Sequence, residues 1–97
     1  MFLLKYKEGD INMKDTIYNH DIFDHSDKYI EIGYNIAYYR KHAKLTQEQL
    51  AEKIGISRSH ISALEAPNVM RKVSLELLFN IATVLDIEVY KLLVFHD

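Results

Sequence analysis

A tight pair of helices is predicted in the middle of the chain, where residues 46–66 read TQEQLAEKIGISRSHISALEA. Thr46 and Gln49 have the spacing of a capping box, in which each side chain bonds a backbone N–H group at the start of a helix. Gly55 follows the apolar face of this helix and predicts its end, because glycine adopts left-handed backbone angles without a steric cost.

A second helix follows after a turn of only a few residues. Ser57 is a favourable N-cap, and Pro67 disfavours helical geometry at the residue before it, so this helix ends near Glu65. A turn of about three to four residues that contains glycine is typical of a helix-turn-helix. Ala51 is small where the two backbones approach. The apolar residues expected to face the core are Leu50, Ile54, Ile56, Ile61 and Leu64.

Apolar residues recur at helical spacing on both sides of this pair. A first helix over about residues 27–44 is expected to begin at the N-cap Ser26, and a fourth helix at the N-cap Ser74. The predicted inward faces are Ile32, Ile36, Tyr39 and Ala43 in the first helix, Leu75, Leu78, Ile81, Ala82 and Leu85 in the fourth, and Val89, Leu92 and Leu93 in a short fifth helix. The predicted fold class is therefore all-α.

The N-terminal residues 1–25 lack this periodicity and are interpreted as an extension of a domain formed by residues 26–97. The extension is either disordered or partly a short strand, since Phe2, Leu4 and Tyr6 alternate with other residues. The internal Met13 leaves open that translation starts there.

Length and composition exclude several classes of protein. The 97 residues fit one domain, and the absence of cysteine excludes disulfide scaffolds, cysteine zinc sites and thiol nucleophiles. No apolar run approaches the ~20 residues of a membrane span, and Lys5 interrupts the opening apolar run before it reaches the length of a secretory signal. A small, soluble, cytoplasmic domain is expected.

Charge is distributed unevenly along the chain, although its formal sum is only −2. Residues 40–72 hold seven Lys or Arg and three Glu, a net charge of +4, between acidic segments on either side. A basic centre suits contact with nucleic-acid phosphates, but chance clustering on a solvated surface explains the charges equally well.

Residues 45–57 read LTQEQLAEKIGIS, and further characteristic residues stand before and after this stretch. These positions are Ile32-Gly33, Ile36, Arg40, Ile61-Ser62, Glu65, Leu75, Leu77-Leu78, Ile81-Ala82, Leu85 and Leu92. Over about residues 30–93 the chain thereby resembles the phage-repressor, Cro-like (XRE) helix-turn-helix family. The resemblance implies a five-helix, lambda-repressor-like domain that regulates transcription at a double-stranded DNA operator. One departure is Asp86, which stands where glycine is common in the family.

The resemblance also implies which residues contact DNA, because the helix over Ser57–Glu65 would enter the major groove. Arg58 suits direct readout, since its planar guanidinium matches the O6 and N7 acceptors of guanine. The expected base contacts are Arg58, Ser59, Ser62 and Ala63. The expected phosphate contacts are Thr46, Gln47, His60, Arg71 and Lys72. An ordinary solvent-exposed role is the alternative for Arg58, Arg71 and Lys72.

A structural ion pair is implied as well. In the family, an arginine late in the first helix commonly pairs with the glutamate that ends the recognition helix, and here these residues are Arg40 and Glu65. We therefore expect Glu65→Ala to weaken folding more than it changes sequence preference.

Enzymatic and metal chemistry is not expected. Residues 20–25, HDIFDH, hold possible metal ligands, but no helical pattern aligns His20 with Asp24, so a solvated acidic leader is the preferred interpretation. The sequence has no glycine-rich phosphate loop and no nucleophile with a positioned base, which predicts a protein without catalysis, cofactor or metal.

A homodimer is expected, because one recognition helix covers only a few base pairs and two-fold dimers bind half-sites about one helical turn apart. The apolar residues 92–95 and 2–4 are candidates for the dimer contact; alternatively they cover the first helix of the same chain, near Tyr34 and Tyr38.

A protein-interaction module, such as an antitoxin or another partner-binding subunit, is the alternative function, because acidic chain ends are unusual in a DNA-binding protein.

Overall fold

The computed structural model describes residues 23–95, and all regular structure within that range is helical. The elements are α1 (Ser26–His42), α2 (Gln47–Ile54), α3 (Arg58–Glu65), α4 (Leu75–Leu85) and a final 3₁₀ helix (Val89–Leu93). The all-α prediction is confirmed for this part of the chain. The strand expected near Phe2, the alternative start at Met13 and the ligand candidate His20 lie outside the described residues. Among residues 23–95, no helix has the length and apolar character that a membrane span requires.

Each of the five helices contributes one side chain that is 0% exposed to a common core, and these are Ile36, Leu50, Ile61, Ile81 and Leu92. Further buried residues surround them, including Ile32, Leu64, Leu78 and Leu85. Removing one such side chain from water contributes roughly 1.5–3 kcal/mol, so all five helices depend on one another for stability.

Helices α1 and α3 approach so closely that their backbones touch at Gly33. A Cβ atom at Gly33 would overlap the carbonyl oxygen of Leu64 and lie 3.2 Å from its carbonyl carbon. Glycine is required here because it has no side chain to separate the two helices. The position of α3 on the domain is therefore fixed directly by the backbone of α1.

Hydroxyl side chains cap the starts of α2, α3 and α4, as the sequence predicts. Thr46 Oγ1 accepts a hydrogen bond from the Gln49 backbone N–H at 3.0 Å, and Gln49 Oε1 accepts one from the Thr46 N–H at 2.8 Å. Ser57 and Ser74 each accept a bond from the backbone N–H three residues ahead, at 3.2 and 3.1 Å. Each of these caps stabilises its helix by about 1 kcal/mol.

Helix α1 begins differently from the prediction, because Ser26 is its first residue and not its cap. Asp24 supplies the acceptor instead: its Oδ1 accepts from the Ser26 N–H at 2.9 Å and from the Ser26 hydroxyl at 2.6 Å. Both bonds lower the pKa of Asp24 below its ordinary value, and the bond from the Ser26 hydroxyl has the larger effect.

Helix α1 also ends earlier than predicted, at His42, because Lys44 adopts a left-handed φ of 61°. The Leu45 N–H then donates to the carbonyl oxygen of Arg40 at 3.1 Å, which is the bond of a Schellman turn. Ala43 therefore lies beyond the helix and is exposed, so the prediction that it faces the core is wrong.

Helix α4 differs from the prediction at its first residue and agrees with it at its end. Leu75 is 63% exposed, so its predicted place in the core is wrong, whereas the later apolar residues Leu78, Ile81 and Leu85 are buried. Asp86 ends the helix with a left-handed φ of 57°. Glycine is common at this position in the helix-turn-helix family that the sequence resembles.

Candidate nucleic-acid interface

A three-residue turn joins α2 to α3, and one carbonyl group holds most of it in place. Gly55 has a left-handed φ of 91°. Its N–H donates to the carbonyl oxygen of Ala51 at 2.8 Å, and the Ile56 N–H donates to the same oxygen at 3.0 Å. Ala51 itself is buried. The small, turn-forming and apolar residues of the predicted helix-turn-helix therefore occupy the expected places.

Helix α3 separates its core residues from its accessible ones. Ile61 and Leu64 are buried. The expected base-contacting residues remain accessible: Arg58 and Ser59 are exposed, and Ser62 and Ala63 are half-buried. The hydroxyl groups of Ser57 and Ser59 lie 3.2 Å apart and share a hydrogen bond. The outer surface of α3 thus carries donors and acceptors of the kind that contact base edges.

The expected phosphate-contacting residues lie in three separate parts of the chain. Thr46 and Gln47 are at the start of α2, where unpaired helical N–H groups favour an anion. His60 is half-buried on α3, and Arg71 and Lys72 are exposed in the segment between α3 and α4.

The structure brings Arg40 and Glu65 together in a two-point ion pair. Arg40 Nε donates to Glu65 Oε2 at 2.8 Å, and Arg40 Nη2 donates to Oε1 at 2.9 Å. The side chains of Arg40 and Glu65 are only 10% and 5% exposed. Arg40 Nη1 also donates to the carbonyl oxygen of Leu45 at 2.7 Å. One guanidinium therefore connects the end of α1, the segment between α1 and α2, and the end of α3.

A further contact at this ion pair could not be predicted from the sequence. Gln47 Nε2 donates to Glu65 Oε1 at 2.9 Å and joins the first residue of α2 to the last residue of α3. Gln47 and Glu65 are 18 positions apart, and no local pattern connects them.

Asn35 makes a comparable long-range contact from another side of α1. Its Nδ2 donates to the carbonyl oxygens of Leu92 at 3.0 Å and Val94 at 2.9 Å. A cleft beside these bonds is lined in part by Tyr34, Tyr38 and Val94. The C-terminal tail, residues 92–95, therefore packs partly against α1 of its own chain, which is one of the two arrangements expected for it.

Known proteins match most of this chain. The family described as helix-turn-helix matches residues 36–92. The HTH-type transcriptional regulator SinR of Bacillus subtilis (strain 168) is 37% identical over 62 residues, which are 64% of this chain and 55% of that regulator. The chain thus spans about half the length of this curated relative.

Two solved structures share the arrangement of helices. The restriction-modification controller protein C.AhdI from Aeromonas hydrophila is 34% identical, with a TM-score of 0.66 over 72% of this chain and 99% of that chain. SinR, the master regulator for biofilm formation, crystallised in complex with DNA, is 36% identical, with a TM-score of 0.60 over 65% of this chain and 98% of that chain.

Proposed function

The chain belongs to the helix-turn-helix family that its residues 36–92 match, and from this membership we propose that it is a transcriptional regulator that binds double-stranded DNA sequence-specifically. The observation that carries the proposal is the accessible polar surface of α3, held next to α2 by a glycine-containing turn. The DNA complex of the relative SinR supports the same use of this fold.

Sequence is read by α3 in the major groove, where its N-terminal residues meet base edges. Arg58, exposed on the first turn, donates to the O6 and N7 atoms of a guanine. The hydroxyl groups of Ser59 and Ser62 bond several bases and specify less, and the methyl group of Ala63 contacts a thymine methyl group.

Affinity comes mainly from the DNA backbone. The proposed phosphate contacts are Thr46, Gln47, His60, Arg71 and Lys72, within the segment 40–72 whose net charge is +4. The ion pair of Arg40 and Glu65 does not touch DNA in this proposal. It holds α3 against α1, so that the base-contacting residues keep one orientation.

The regulator is proposed to act as a homodimer, because one α3 covers only a few base pairs. Large apolar side chains are exposed on α4 and the tail and are available to a second copy: Leu75, Phe79, Leu93 and Phe95. Residues 2–4 are a second candidate for the contact. Deletion of residues 1–12 followed by measurement of the solution mass tests them, since an unchanged dimer excludes those residues.

The DNA-binding proposal is tested by fluorescence anisotropy with DNA from upstream of the gene and with scrambled DNA, each at two salt concentrations. We expect salt-weakened binding that prefers the upstream DNA. Arg58→Ala should reduce that preference about 5- to 100-fold, the cost of losing one bidentate base contact. Lys28→Ala removes an exposed positive charge from α1 and is the matched control.

A different outcome would favour the alternative function. The exposed apolar side chains of α4 and the tail also suit a partner protein, as an antitoxin or a partner-binding subunit would use them. Binding without preference for the upstream DNA at either salt concentration would contradict sequence-specific regulation at that site and would favour this partner-binding function.

A further inference from the structure

We propose that Glu65 is a positioning residue for DNA binding, because its carboxylate orients the side-chain amide of Gln47 toward the DNA backbone. The inference rests on the proposed function, because Gln47 is one of the phosphate contacts proposed there. Its side-chain amide would already be oriented in the free protein.

The Glu65 carboxylate bonds groups from two other helices. Its Oε2 accepts from Arg40 Nε at 2.8 Å, while its Oε1 accepts from Arg40 Nη2 and from Gln47 Nε2, both at 2.9 Å. The side chain of Glu65 is only 5% exposed, so little water competes for these bonds. Three helices therefore meet at one carboxylate at the end of α3.

The bond to Glu65 uses one of the two hydrogens on Gln47 Nε2 and leaves the other available. A side-chain amide nitrogen donates two hydrogen bonds. A bond to an ionised acceptor is about twice as strong as a neutral one, and it fixes the amide in one orientation. The paired Arg40 balances the charge of Glu65, which reduces the repulsion that a nearby phosphate would feel. Gln47 thus enters the complex without losing further rotamer freedom.

Gln47 is the first residue of α2, where main-chain donors are also available. The side chain of Thr46 satisfies the Gln49 N–H, so the N–H groups of Gln47 and Glu48 are the first-turn donors that remain. A phosphate oxygen bound there meets two main-chain donors together with the oriented amide.

A double-mutant cycle tests the inference by anisotropy on the DNA duplex that the wild-type chain prefers. Gln47→Ala should weaken binding about 5- to 10-fold in the wild-type background, the effect of one hydrogen bond. In the Glu65→Ala background the same change should weaken binding less than about twofold, because the amide is no longer oriented. Arg71→Ala, whose side chain is exposed in the segment after α3, should cost the same in both backgrounds. Equal losses for Gln47→Ala in both backgrounds would overturn the inference.

A second measurement on the wild-type chain needs no Glu65 variant, which matters if Glu65→Ala unfolds. The side-chain NH₂ signals of Gln47 in nitrogen-15 NMR spectra should show one proton shifted downfield and protected from exchange, both free and with DNA. Two equivalent solvent-exposed protons would overturn the inference while leaving DNA binding intact. Absence of any DNA preference in the wild-type chain would refute the proposed function itself, and the inference with it.

Discussion

The two sides of α1 are attached to the rest of the domain in different ways. On the side that meets α3, Gly33 permits backbone contact and Arg40 makes a buried two-point ion pair with Glu65. On the side that meets the C-terminal 3₁₀ helix, Asn35 supplies two neutral hydrogen bonds to main-chain carbonyl groups, and two neighbouring tyrosines stay exposed.

This difference predicts that the two sides respond very differently to mutation. Removing one partner of a buried ion pair leaves an uncompensated charge, which costs much more than losing neutral hydrogen bonds near the surface. The position of α3 should therefore be sensitive to single changes, whereas the attachment of the tail should tolerate them.

The largest effect is expected from Glu65→Ala, which leaves the buried guanidinium of Arg40 without its charge partner. Stability should fall by about 3–5 kcal/mol in urea unfolding. Glu52→Ala, an exposed change on α2, is the control. The ratio of affinities for preferred and scrambled DNA should change little, and an unaltered melting temperature would contradict the structural role of the pair.

Gly33→Ala should also destabilise, by about 1–3 kcal/mol, because the added methyl group forces α1 and α3 apart at Leu64. The sign of the effect is the informative quantity. In an ordinary helix the same substitution stabilises by roughly 0.5–1 kcal/mol. A stabilised Gly33→Ala variant in thermal unfolding would show that the two backbones do not touch.

On the other side of α1, Asn35→Ala should cost only about 1–2 kcal/mol, since two neutral bonds to Leu92 and Val94 are lost. DNA affinity should stay unchanged. Amide exchange at the 3₁₀ helix should become faster, and the exposed change Asn80→Ala on α4 should leave it as it is. A loss of stability as large as that of Glu65→Ala would remove the contrast between the two sides.

The smallest effect is expected at Lys44, in the turn that follows α1. Lys44→Gly should stabilise by about 0.5–1 kcal/mol, because its left-handed φ of 61° is strained for a residue with a Cβ atom. Gly55→Ala is the matched opposite, because its φ of 91° is also left-handed. Beyond the two neighbouring residues, no atom lies within 4 Å of the added carbon, so only backbone strain of about 1–2 kcal/mol acts. Denaturant unfolding of both variants should therefore give shifts of opposite sign.

Features that depend on neighbours in sequence could be predicted well. Thr46, Ser57 and Ser74 bond backbone groups three residues away, so a hydroxyl before an apolar run was enough to locate each helix start. Gly55 was recognisable for the same reason, since its role depends on its own φ angle.

Features that depend on distant residues could not be predicted. The helical period assigned Leu75 to the inner face of α4, but it cannot show that the core ends before that residue is reached. The contact between Gln47 and Glu65 spans 18 positions, and those of Asn35 span 57 and 59. Of the candidate site, residue types and helix positions were accessible from sequence, while the contacts with DNA remain predictions.

The division of α3 into core and accessible residues has a consequence for protein engineering. Ile61 and Leu64 serve the core, while Arg58, Ser59 and Ser62 lie outside it. Because the two sets share no residue, the outer residues can be replaced while the core residues of α3 stay the same. Libraries that randomise only those three positions should yield variants with new operator preferences and nearly the parental melting temperature.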